Sequence, residues 1–104
     1  MASSREYLTF IMEQLSETEG VSYRPMMGEY LIYCRGKVIG GIYDNRFLVK
    51  PTKSSIAMMP KALKEIPYAG ANKMLLVDNV ENKLFLKKLL ESMFAELPMP
   101  KKRK

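Results

Sequence analysis

Apolar positions along this chain change period four times, and each change marks a change of element. Tyr7, Leu8, Ile11, Met12 and Leu15 recur at helical spacing. Ser3 or Ser4 supplies a cap before them, Glu6 suits the positive helix end, and Gly20 provides a stop. From Val21 the pattern turns strand-like. Val21-Ser22-Tyr23 alternates and Pro25 follows, which fits an edge strand. Tyr30-Leu31-Ile32-Tyr33-Cys34 has almost no polar break, so it reads as a central strand covered on both faces. Arg35-Gly36-Lys37 is a tight turn, because glycine supplies positive φ. Residues 38–43 return as the next strand, whose Gly40-Gly41 pair points to a bulge or a close backbone approach. Asp44-Asn45 turns again, and 46–50 form a fourth strand ended by Pro51.

The second half is predicted to be mainly helical. Ser54 and Ser55 cap a stretch in which Ile56, Met59, Leu63 and Ile66 recur on one face. Pro60 removes a backbone donor inside it, so a kink or two short helices are expected. After a loop at 68–72, residues 73–77 read as a late buried strand. Asp78 with Glu81, and more weakly Asn79 with Asn82, signal a helix start. Leu86, Leu89, Leu90, Met93, Phe94 and Leu97 then make a wide apolar stripe. Helix, three to four strands, broken helix, strand, helix is an α+β order. It predicts two layers, with an antiparallel sheet of about five strands carrying the helices. The alternating βαβ units of a nucleotide-binding sheet are missing.

Composition narrows the chemistry. The chain has 104 residues, 47% apolar and 27% charged, which suits one folded domain. It contains no histidine and one cysteine, Cys34. Imidazole bases, thiolate metal cages and internal disulfides are therefore excluded. No catalytic residue, metal site or cofactor is predicted, and Cys34 reads as a buried, inert thiol. An enzyme built from this set would need a lysine, tyrosine or carboxylate base in a pocket; a deep one enclosing Tyr68 and Lys73 is the arrangement to look for. The net charge is +6, and four of those positive charges are Lys101, Lys102, Arg103 and Lys104, so the rest carries only +2. Residues 1–98 are expected to fold and 99–104 to form a basic disordered tail. The polar start, the lone thiol and the lack of a long apolar run point to the cytoplasm, without a membrane segment.

Arg24-Pro25-Met26-Met27-Gly28-Glu29-Tyr30-Leu31-Ile32-Tyr33-Cys34-Arg35-Gly36-Lys37 resembles the signature of the TfoX N-terminal domain family. The matching positions are Arg24, Met26, Gly28, Tyr30, Tyr33 and Gly36. Residues 46–50, Pro67-Tyr68 and Lys73-Met74 resemble later elements of that family, and the likeness spans about residues 4–97. Glu29 and Leu31 stand where the family favours glycine, and Met27 stands where it favours phenylalanine. The resemblance implies a single-domain member with a two-layer fold similar to type III secretion chaperones. It also implies a regulatory role in competence, exercised with a transcription factor rather than by catalysis.

Two binding sets follow. Arg24, Met26, Met27, Gly28, Tyr30, Tyr68 and Lys73 are the candidates for contact with a protein partner. Methionine is adaptable and common on partner-binding surfaces, although it also fills cores. Lys50, Lys53, Lys101, Lys102, Arg103 and Lys104 are the candidates for salt-sensitive nucleic-acid contact. Tyr30 and Tyr33 point to opposite faces of one strand, so they cannot share a base-stacking platform.

Overall fold

Burial alternates strictly along Glu29–Cys34, with Tyr30, Ile32 and Cys34 buried and the residues between them half-buried. This strand therefore has one face on a core and one face only partly covered. The computed structural model describes residues 3–97. The predicted basic tail, with Lys101, Lys102, Arg103 and Lys104, lies outside the described residues.

The elements are α1 (Arg5–Gln14), β1 (Val21–Met26), β2 (Glu29–Cys34), β3 (Lys37–Ile42), β4 (Phe47–Val49), α2 (Lys53–Met58), β5 (Lys64–Glu65), β6 (Met74–Leu76) and α3 (Lys83–Glu96). The fold is α+β. Six strands form one sheet in the order β1-β2-β3-β4-β6-β5, and every pairing is antiparallel. Leu8, Ile11 and Leu15 from the first helical segment and Leu86, Leu89, Leu90 and Met93 from α3 close over Ile32, Ile42, Phe47, Val49 and Leu75. α2 packs on α3, where the Ser54 amide and hydroxyl both donate to the Glu96 carboxylate, at 2.9 and 2.6 Å.

Three two-residue turns build the β1–β4 meander. Met27-Gly28, Arg35-Gly36 and Asp44-Asn45 all have positive φ at both positions, the twist that joins antiparallel strands tightly. Pro25 lies in β1, an edge strand, as the chain pattern predicts. Gly40 and Gly41 fulfil both of their expected roles. The β2–β3 register slips between Ile32 and Tyr33. A Cβ on Gly40 would also come within 2.0 Å of the Leu48 carbonyl oxygen.

Four expectations need correction. β2 is second from the edge and half-covered; the doubly buried strand is β4, whose three residues are all buried. α1 stops at Gln14, well before Gly20, which instead accepts from the Arg35 amide at 2.8 Å. The predicted helix at 54–66 is only six residues long. Beyond it Leu63 and Ile66 are exposed, and 64–65 pair with β6 as a new edge strand. Pro60 cannot continue the hydrogen-bond ladder, and the sheet edge offers the backbone partners instead. Finally, α3 is capped by Asn82, whose side chain accepts from the Phe85 amide, rather than by Asp78 or Asn79.

Candidate functional site: the uncovered sheet face

Residues paired across antiparallel strands share a face. The register aligns Arg24, Leu31, Gly41 and Leu48 in one row, with Ser22, Tyr33 and Val38 in the next. This is the face turned away from the core containing Tyr30 and Ile32. Towards β4 it is roofed by the loop before β6, so Leu48 and Tyr43 are buried there. The Tyr43 ring lies against Tyr68 of that loop, centroids 6.0 Å apart and tilted by 56°. Towards β1 the face stays open.

Between roof and sheet runs a groove of about 430 Å³. Leu31, Val38, Pro67, Met74 and Leu97 supply its apolar lining, while Lys50, Tyr43, Tyr68, Asn72 and Lys73 supply its polar groups. Sequence reasoning separated Lys50 from Tyr68 and Lys73, but the tertiary fold brings them together. It left Tyr43 out of both binding sets. The available signal was the Gly41 before it, since a bare Cα two residues away on a strand can seat a ring. Burial, then the nearby Tyr68, Glu29 and Tyr33, holds the Tyr43 hydroxyl above its ordinary 10. It therefore stays protonated and can donate. The groove is open to solvent, and Tyr68 is 56% exposed.

The partner-binding candidates separate. Arg24, Met27 and Gly28 are exposed and Met26 is half-buried, all on the β1–β2 hairpin. Met27 is 97% exposed at its tip with φ 52°, so it fills no core. Tyr30 is only 8% exposed and packs in the core, with its ring edge-on to Tyr23 at 5.8 Å. It is a structural residue and not part of the surface set. Of the nucleic-acid candidates, Lys50 lines the groove, whereas Lys53 opens α2 in the helical layer.

Glu29 anchors the hairpin. Its Oε1 accepts from the Ser3 hydroxyl at 2.5 Å and from the Asp44 amide at 3.1 Å. The Ser3 amide donates to the Gly28 carbonyl, and the Ser3 hydroxyl also accepts from the Asn45 amide. One carboxylate thus joins the start of the chain to two turns.

Cys34 is fully buried, and burial pushes its thiol up, which keeps it in the unreactive protonated form. Among the described residues, no three metal-ligating side chains converge. No helix among the described residues is long and apolar enough to cross a membrane.

The chain is 35% identical over 105 residues to a Spirochaeta aurantia protein described as an uncharacterized 12.7 kDa protein in the trpE 5′ region, covering 100% of this chain and 91% of the relative. The chain belongs to the family of that protein. No family model matches the chain, and no solved structure matches it.

Proposed function

We propose that this member of that family is a non-catalytic adaptor domain. It binds a protein partner through the β1–β2 hairpin tip and the open sheet face beside it. The observation that carries this reading is Met27. A large apolar side chain stands almost wholly in water, on a residue held in the left-handed region. Both features oppose stability, and local rules are broken in this way most often where binding requires it. The Glu29 network holds the tip in place, which lowers the entropy a partner must overcome. Arg24 and Met26 flank it on the open face. The TfoX-like signature supports a partner belonging to transcriptional control.

The test is site-specific photocrosslinking in native lysate, with the reactive group at position 27 or, as a control, at exposed position 17. A discrete protein adduct from position 27 alone, insensitive to nuclease and lost with competing wild-type but not Met27→Asn protein, supports the reading. Equal adducts from both positions, or loss of the adduct on nuclease treatment, overturn it.

A further inference from the structure

The groove under the Tyr68 loop has a chemistry that a hairpin-tip contact leaves unused. Two lysines reach it, Lys50 just after β4 and Lys73 just before β6, and no aspartate or glutamate lines it. Among the described residues neither lysine is in an ion pair; the pairs are Arg46 with Glu65 and Lys83 with Glu13. Glu29, the acid that bears on nearby Tyr43, is not among the lining residues, and its Oε1 accepts from the Ser3 hydroxyl and the Asp44 amide. Leu31, Val38, Pro67 and Met74 give the groove an apolar lining, and the half-exposed Tyr68 ring stands beside it. A volume of 430 Å³ falls within the range of small-molecule sites, roughly 300–1,000 Å³.

We infer that this groove binds a small organic anion: one carboxylate, sulfonate or phosphate carried on a flat apolar body. Lys50 and Lys73 take the charge, the Tyr43 hydroxyl donates a hydrogen bond, and Tyr68 stacks on the body. Two cations satisfy one anionic group. They do not make the extended basic track that a nucleic-acid strand follows. Met27 lies outside the groove, so its substitution leaves this binding unchanged and the two sites fail or succeed separately.

The test titrates the full chain with anilinonaphthalene sulfonate and with uncharged phenylnaphthylamine, followed by amide chemical shifts. The sulfonate is expected to move the amides of Leu31, Val38, Asn72 and Lys73. The double variant Lys50→Gln/Lys73→Gln, its fold checked by circular dichroism, weakens the sulfonate by about tenfold or more and the neutral dye by less than about twofold. Shifts clustered elsewhere, or unchanged sulfonate affinity in the double variant, overturn the assignment. So does a single-stranded oligonucleotide that binds tighter than the dye through the same lysines, which would give the face to nucleic acid.

Discussion

The Tyr43 ring occupies space that a side chain on Gly41 would need: a Cβ there would lie 2.6 Å from Tyr43 Cε2 and 2.7 Å from the Tyr30 carbonyl oxygen. The floor of the groove therefore depends on a missing methyl group. Gly41→Ala is expected to cost about 2 kcal/mol, and Tyr43→Leu in the same chain should recover part of that loss. Gly40→Ala should cost about 3 kcal/mol, because its Cβ would meet backbone, the Leu48 oxygen and Val49 Cα, which cannot swing aside. Urea unfolding of the three variants checks the order.

Met27→Asn is expected to stabilise the domain by about 0.5–1 kcal/mol. Asparagine tolerates the left-handed region and forms the favoured Asn-Gly turn. The same change should leave the protein unable to compete for the crosslink formed from position 27. A gain in thermal midpoint together with lost competition identifies a residue kept for binding at the expense of stability.

Glu29→Gln keeps the shape of the side chain but removes its charge. The Ser3 and Asp44 donors then face a weaker acceptor, and the expected loss is about 1 kcal/mol. Hydrogen exchange should quicken at the Asp44 amide and leave the Ile32 amide unchanged.

Lys37 is almost fully buried, yet its Nζ donates to the Phe94 carbonyl at 2.8 Å and lies 4.1 Å from the Phe94 ring centre. It completes the last turn of α3, where free carbonyls gather. Lys37→Met retains the packing stem and should cost about 1–2 kcal/mol by denaturant unfolding. Arg35→Ala, which removes an exposed cation 4.7 Å from the same ring, should cost less.

Glu96 sets an acid limit on the α2–α3 contact. The Ser54 hydroxyl, then its amide, holds the carboxyl below the ordinary 4.5. The folded value is depressed, so the contribution is fully present above pH 4.5 and disappears as pH falls through the lowered value. Thermal midpoints from neutral pH down to about pH 3 should fall more steeply for the wild type than for Glu96→Gln.

The amino-acid sequence determined whatever depends on neighbours a few residues apart. Ser4 caps α1, the Leu86–Leu97 stripe faces the core, and the Gly36 and Asp44-Asn45 turns set the meander. In each case the backbone angle or the side-chain direction is a local property. Alternation along β2 also put Tyr30 and Tyr33 on opposite faces. It did not tell which face the helices would take, so Tyr30 entered the surface set although it lies in the core. The segment at 54–66 misled for the same reason: Leu63 and Ile66 have helical spacing, yet β6, about ten residues further on, offered pairing that Pro60 denied to a helix. The groove depended entirely on long-range packing. Lys50, Tyr68 and Lys73 have no spacing in common, and they converge because the loop before β6 folds back over β3 and β4, where Gly41 leaves room for Tyr43.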